Sequence, residues 1–282
     1  FSDDDNTIIA TGNIKIFTEN KELTAKKIIY NKNDEFVKVY GPLKIVDNNK
    51  ITITADYSLV SKDLKKIINK GVQAIFPLPI DHVESQINSV LEDLNPNIIK
   101  TGMLADIDLI EMIASRVGEY KLVIDPVMVA TSGDILVPQD CILAIKETLL
   151  PKSFLTTPNL YEAELLSGQK INNTEEQIEA AFKILELGVK NVLVKGGHLT
   201  NEMITDVLVE EDKTVNCFES KKINSKNTHG TGCTLASSIA CLIGHGNNLS
   251  ESVQKGIDYV QKGILLAPNF GSGNGPILHF DA

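Results

Sequence analysis

The chain has 282 residues, 43% apolar and 23% charged, with no Trp. That is enough for one large domain or two ordinary ones, and it excludes collagen-like, disordered and disulfide-dense classes. Lys and Arg number 27 against 37 acids, a net charge of −10, which argues against a nucleic-acid or anionic-membrane partner.

No apolar run is long enough to span a bilayer. The charge is unevenly spread. Residues 1–70 hold 12 Lys and 10 acids, and the rest hold 15 basic and 27 acidic residues, which points to two parts of different origin. A first residue Phe1 reads as a fragment or a processed chain without a secretion signal. Cys141, Cys217, Cys233 and Cys241 form no C-x-x-C pair and no zinc spacing, a usage that fits a reducing cytosol. Cys141 and Cys241 sit in apolar helical runs and are expected to be buried.

Residues 8–60 alternate in the manner of β-strands. The runs are Ile14–Ile16, Thr24–Tyr30, Val37–Tyr40, Leu43–Ile45 and Ile51–Ala55, with turn clusters at Asn31–Asp34 and Asp47–Asn49. Gly12-Asn13-Ile14-Lys15-Ile16 recurs as Gly41-Pro42-Leu43-Lys44-Ile45, and Leu23-Thr24-Ala25 recurs as Ile53-Thr54-Ala55. The repeat predicts stacked strand units, a β-jellyroll or solenoid paired edge to edge. This segment resembles the OstA-like repeat of lipopolysaccharide-transport proteins, which implies a periplasmic module binding acyl chains.

From about residue 71 the pattern changes. Asp81–Leu94 places Val83, Ile87, Val90, Leu91 and Leu94 on one helical face. A strand is expected at Ile98–Thr101, and a helix at Asp106–Val117 with Ile107, Ile110, Ile113 and Val117 inward. A strand at Leu122–Asp125, a helix at 140–149 and a strand at 154–157 follow. Thr174-Glu175-Glu176-Gln177 reads as a capping box opening a helix that stops at Gly188. Strands are expected at Val192–Lys195, 204–209 and 214–218, and helices from Thr234 and from Ser250. Strands separated by helices mean βαβ units and a parallel sheet, with ligands at the carboxyl ends of the strands.

Those ends carry Gly102-Met103-Leu104-Ala105, Asp125-Pro126-Val127-Met128, Pro158-Asn159-Leu160-Tyr161-Glu162, Lys195-Gly196-Gly197-His198 and Asn227-Thr228-His229-Gly230-Thr231-Gly232-Cys233-Thr234. In the last, two glycines let amides converge at the positive end of a helix, which suits a phosphate or oxyanion. Against this stands a tight turn capped by Thr234. Cys233, at a helix N-terminus, is expected to have a lowered pKa. Asn159 and Glu162 suit a hydrated magnesium beside phosphates, or else a helix cap with Glu162 facing solvent. Asp125, at a buried strand end, needs a metal or a cluster of amides. Lys195 suits phosphate or a surface ion pair. His198 and His229 read as loop hydrogen-bonders, and Gly271–Gly275 as a loop.

Taken in order, these segments resemble the hydroxymethylpyrimidine/phosphomethylpyrimidine kinases of thiamine biosynthesis, over residues 70–282. The matching stretches are Gly71–Ile75, Thr101–Ala105, Asp125–Ala130 with Ser132-Gly133-Asp134, Thr157–Glu164, Val192–His198, Asn227–Thr234 and Gly271–His279. The resemblance implies a ribokinase-like three-layer α/β sandwich with a mostly parallel sheet, N-terminally truncated, over 69–282. A small all-β jellyroll-like segment over 1–68 precedes it. It implies phosphoryl transfer from ATP with Mg2+ to a small-molecule pyrimidine alcohol and then to its monophosphate, in the cytoplasm, by a homodimer with no nucleic-acid partner and no membrane span.

By the same resemblance Gly230, Thr231, Gly232 and Cys233 form the catalytic anion hole. Lys195, Asn159, Glu162 and Thr228 hold the nucleotide, Glu162 and Asp125 the metal, and Met103 and Val127 wall the pyrimidine. Cys233, where most ribokinase relatives carry an Asp base, favours the pyrimidine kinases over the sugar kinases. The family's opening strand, its G-S-D-x-S-G-G-A-G loop and its T-A-Q-N segment are not found, so the chain reads as a recombined frame with activity in question. Two other readings stay open: a lipid- or partner-binding β module with an inactive kinase remnant, and a pyridoxal-type kinase.

Overall fold

The computed structural model describes residues 2–3, 7–18, 21–32, 36–47, 52–62, 67–69, 78–118, 120–129, 136–197, 202–268 and 274–279. They fall into two compact units that divide between Pro77 and Leu78.

The first unit is a six-stranded antiparallel sheet in chain order: β1 (Ser2–Asp3), β2 (Thr7–Phe17), β3 (Lys21–Asn31), β4 (Phe36–Asp47), β5 (Thr52–Ser61) and β6 (Ile67–Asn69). It is a meander, not the expected stack of rungs, since every strand pairs with its sequence neighbours. Ile14–Ile16 and Leu43–Ile45 are the second halves of long strands, and the repeated Gly-x pairs are where register shifts. The shift falls between Thr11 and Ile14 on β2, and between Tyr40 and Leu43 on β4. Gly12 takes φ +115°, which an L side chain rarely adopts. Alternation puts Leu23, Ala25, Ile28, Val39, Leu43, Ile45 and Val60 into one small apolar cluster.

The second unit is three-layered. Its sheet runs in the order β12-β11-β10-β9-β8-β7. The strands are β7 (Ile98–Thr101), β8 (Lys121–Ile124), β9 (Leu155–Thr156), β10 (Val192–Val194), β11 (Met203–Val209) and β12 (Val215–Lys221). The four from β7 to β10 are parallel, and β11 and β12 are antiparallel. One face carries α1 (Ile80–Leu94), α2 (Ile107–Arg116), α3 (Gln139–Ala144), α4 (Leu160–Ser167) and α5 (Thr174–Leu185); the other carries α6 (Thr231–Gly244) and α7 (Leu249–Leu265). This second unit is ribokinase-like in fold.

Strand alternation divides the core in two. Leu122, Ile124, Val192, Val194, Val207 and Val209 pack with α2–α5, whereas Ile98, Val123, Leu155, Leu193 and Leu208 pack with α6 and α7. Burial at ~25 cal/mol per Å2 on both faces makes this double-sided sheet the main stabiliser of the unit. The alternation also aims the site, because Lys100, Asp125 and Lys195 stand two residues beyond Ile98, Val123 and Leu193 and continue the α6-facing phase.

Several local expectations shift. α6 begins at Thr231, so the glycine stretch is its first turn. α5 is capped by Asn173, whose Oδ1 accepts from the Glu176 amide, one residue before the expected box. α1 buries none of its residues; Val90 and Leu94 are exposed, as is Ile107 in α2. Cys141 is buried, but Cys241 is exposed because it lies off the stripe Leu235, Ala236, Ile239, Ala240 and Ile243. Gly71–Ile75, Ser132–Asp134, His198 and Gly271–Gly273 lie outside the described residues.

Candidate functional site

The site assembles at the carboxyl edge of the parallel strands. Asp125 follows β8 and is 1% exposed. Its Oδ1 accepts from Lys195 Nζ at 2.8 Å and from Thr157 Oγ1 at 3.2 Å, while Oδ2 has no hydrogen-bond partner among the described residues. Burial opposes ionisation of Asp125. The charge and hydrogen bond of Lys195, the charge of Lys100 and the Cys233 thiol outweigh it and hold the carboxyl below its ordinary value. Burial likewise works against the Lys195 ammonium, but Asp125 and Glu162 keep its pKa raised.

Backbone zipping continues past the strands. Lys195 N donates to Pro158 O, and Asn159 bridges Lys195 in parallel, so the ends of β9 and β10 are locked together. Glu162, in the first turn of α4, is 2% exposed rather than solvent-facing. Its Oε2 accepts from Asn159 N at 2.8 Å and its Oε1 from Met128 N at 3.3 Å, while Asn159 Oδ1 accepts from Glu162 N at 3.0 Å. The pair is therefore a capping box turned inward.

Burial pushes the Glu162 carboxyl up to about 7, against Lys195 and the two amides, which pull it down. Below the ordinary glutamate value near 4.5 both states are protonated and this contribution to stability is full. It is lost as pH rises through about 7, because the folded chain alone retains the proton in between. The loss is on the order of 3 kcal/mol. Wild type should lose roughly 5–10 °C of thermal midpoint between about pH 5 and about pH 8, and Glu162→Gln much less. Parallel profiles would show that Glu162 ionises normally. Asp206, raised by burial to about 6, adds a slope of the same sign to both proteins.

α6 closes the site. Its N-cap Gly230 has φ +83° and no side chain caps it, whereas Asp106, Asn159, Asn173 and Asn248 cap α2, α4, α5 and α7. Thr234 supplies only its backbone N–H, to Gly230 O at 2.9 Å. Thr228 O accepts from Thr231 N and Oγ1, and the Gly232 and Cys233 amides take no acceptor among the described residues. A Cβ built on Gly232 would lie 3.2 Å from Lys195 Nζ, so the amides and the ammonium converge. Such an opening suits an anion.

Cys233 stands exposed at the rim. Crowding of its sulfur and the Asp125 charge push the thiol up, against Lys100 and Lys195. The direction is opposite to the lowered pKa expected at a helix N-terminus. A cleft of about 610 Å3 begins at Cys233 and runs beside Thr234, Ser237, Ser238, Cys241 and Leu242 to Lys255, Tyr259 and His279.

The structure thus joins Asp125, Asn159, Glu162, Lys195, Gly232 and Cys233. Thr228 and Thr231 brace the turn. Met103 stands two residues past Thr101, the last of β7, and Val127 two past Asp125, which follows β8; Met103 is exposed and Val127 half-buried. Lys100 and Thr157 escaped sequence reasoning as site residues; the phase shared by Ile98 and Val123 is the signal that reaches Lys100. No group of three His, Cys, Asp or Glu residues forms a metal cage among the described residues. The donor set fits a divalent ion carried largely by water and phosphate, with Asp125 Oδ2 a buried carboxylate oxygen that has no hydrogen-bond partner among the described residues.

The phosphomethylpyrimidine kinase family model matches residues 58–278. The thiamine biosynthesis bifunctional protein ThiED of Geobacter sulfurreducens is 39% identical over 237 residues; that is 83% of this chain, which spans about half (48%) of that protein. The hydroxymethylpyrimidine/phosphomethylpyrimidine kinase of Bacillus subtilis is 35% identical over 214 residues, 74% of this chain and 79% of that one. Among solved structures, Bacillus subtilis pyridoxal kinase in complex with ADP superposes with a TM-score of 0.68 at 32% identity, covering 73% of this chain and 79% of that chain.

Proposed function

Because the chain belongs to the phosphomethylpyrimidine kinase family, we propose that it transfers the γ-phosphoryl group of MgATP to hydroxymethylpyrimidine and then to its monophosphate. The observation that carries this is the uncapped first turn of α6 laid against the Lys195–Asp125 pair. Bound ATP supplies the phosphoryl group, and Asp125 and Glu162 would hold a divalent ion that offsets the charge of its phosphates. The Gly232 and Cys233 amides in the Gly230–Cys233 turn, with Lys195, hold the phosphoryl oxygens where charge develops. A loose transition state needs positioning more than a strong base, so Cys233, kept as a neutral thiol, shapes the hole and the acceptor's proton leaves late to solvent. Met103 and Val127 flank the acceptor. Residues 1–68 and 69–282 act as a separate OstA-like β segment and a kinase domain, a reading supported by the change from antiparallel sheet to βα units after β6.

The test is ADP release from MgATP with the pyrimidine alcohol, its monophosphate and pyridoxal in parallel. Turnover is expected with the two pyrimidines, and Cys233→Ala should lower it roughly 10–100-fold with folding intact, as for loss of one group at an oxyanion site. Turnover with pyridoxal alone, or with none of the three, would overturn the proposal.

A further inference from the structure

The two lysines of the site differ in what they already hold. Lys195 Nζ is committed to Asp125 Oδ1 at 2.8 Å, and both side chains are largely buried, so its charge is balanced locally. Lys100 is half-buried on β7 and pairs with Val123 through the backbone, while its side chain makes no hydrogen bond or ion pair with any described residue. Its Nζ turns back over Gly102, where a Cβ would lie 3.4 Å from it, and the bare glycine leaves it room. The alternation that sends Ile98 toward α6 sends Lys100 the same way, to the end of the helix that carries Cys233. Its positive charge reaches Asp125 and Cys233 and lowers the pKa of each.

Position along the sheet separates the roles. In the order β10-β9-β8-β7 the two lysines leave strands three spacings apart, but Lys195 Nζ crosses to Asp125 at the end of β8, which leaves Lys100 as the uncommitted cation on the β7 side. Lys195 stands with Gly232 and the α6 amides. Lys100 stands on the β7 side of Asp125, where the Met103 and Val127 loops leave β7 and β8. A neutral alcohol on that side has no use for a free ammonium, whereas a phosphate there does.

We propose that Lys100 is the specificity-determining cation that reads the phosphate of the monophosphate acceptor, in the second of the two transfers. The inference rests on the kinase reading above. In that transfer an oxygen of the acceptor's phosphate bonds to the γ-phosphorus. The bond from that phosphorus to the oxygen bridging to the β-phosphate breaks, and ADP leaves with the electron pair. No proton need move, but two phosphate groups are forced together, and Lys100 offsets the charge between them.

The experiment uses the full chain as wild type, Lys100→Met and Lys100→Arg. Calorimetric affinities for the pyrimidine alcohol and for its monophosphate are measured alongside MgATP turnover with each. Lys100→Met should weaken monophosphate binding about 10–100-fold, as for loss of a charge-assisted hydrogen bond, and raise KM for that acceptor more than it lowers kcat. Alcohol binding should stay within about threefold, and Lys100→Arg should keep most of the monophosphate affinity. Equal losses for both acceptors, no loss for the monophosphate, or a wild type that binds no monophosphate would overturn the inference. Lys100-dependent binding without turnover of either acceptor would leave it standing and defeat the kinase reading. Turnover of both acceptors unaffected by Lys100→Met would do the reverse.

Discussion

Lys195→Met should destabilise the α/β unit by about 3–5 kcal/mol, the usual result of removing one partner of a buried ion pair. The reason lies in Asp125. It is 1% exposed, its Oδ2 has no hydrogen-bond partner among the described residues, and Thr157 Oγ1 donates to its Oδ1 beside Lys195. Without the ammonium, burial pushes that carboxyl up, and the folded state holds either an unpaired charge or an added proton. The thermal midpoint should therefore drop by roughly 10 °C near neutral pH. The gap to wild type should narrow on acidification, since protonating Asp125 removes the offending charge in the variant and the favourable one in wild type. Adding Asp125→Asn to Lys195→Met should restore about half of the loss, because an amide needs no counter-charge. Catalysis should not return in the double variant. A single variant as stable as wild type would mean that water, not Lys195, solvates Asp125.

The outline of this site could be read from one dimension because polar residues at the ends of buried strands are conspicuous. Asp125 and Lys195 each follow an uninterrupted apolar run, and an apolar run cannot end in a charge inside a sheet without a partner. What could not be read is which partner. The Asp125–Lys195 pair closes across two intervening strand spacings and 70 residues, and no local pattern encodes that. Gln177 shows the same limit. It reads as the fourth residue of a helix cap, yet it is fully buried and donates to Val194 O and Thr205 O, tying α5 to β10 and β11. Lys100 was hidden because a lysine inside a strand looks like an exposed position on an edge.

Helix starts failed for a different reason. Glycine has low helix propensity, so Thr231-Gly232 looks like a loop, but the first turn tolerates it and here requires bare amides. In the first unit the apparent gaps between β runs were bulges: Gly12-Asn13 and Gly41-Pro42 interrupt the alternation without ending the strand. A meander and a stack of rungs share the same alternation and turn clusters; only the pairing partner distinguishes them.

The same substitution at two glycines should give opposite outcomes, and the contrast separates fold from chemistry. A Cβ on Gly196 would lie 2.0 Å from Thr205 O and 2.8 Å from Thr205 C, both backbone atoms of β11. Gly196 N also donates to Asp206 Oδ1 at 2.7 Å, and Gln177 Nε2 holds Thr205 O at 3.0 Å, so neither side can give way alone. Gly196→Ala should cost at least about 3 kcal/mol, beyond ordinary overpacking, and should move Lys195, its chain neighbour, away from Asp125. A Cβ on Gly232 meets instead the Nζ of Lys195, the far end of a flexible chain, at 3.2 Å. Gly232→Ala should therefore leave stability unchanged or raise it slightly, since alanine favours the helix by up to about 1 kcal/mol. Its effect should fall on MgATP turnover, lowered about tenfold or more as the ammonium shifts and the amides are shielded. Denaturant melts and turnover on the two variants measure both quantities. A Gly232→Ala enzyme with undiminished turnover would show that no phosphoryl oxygen comes to the first turn of α6.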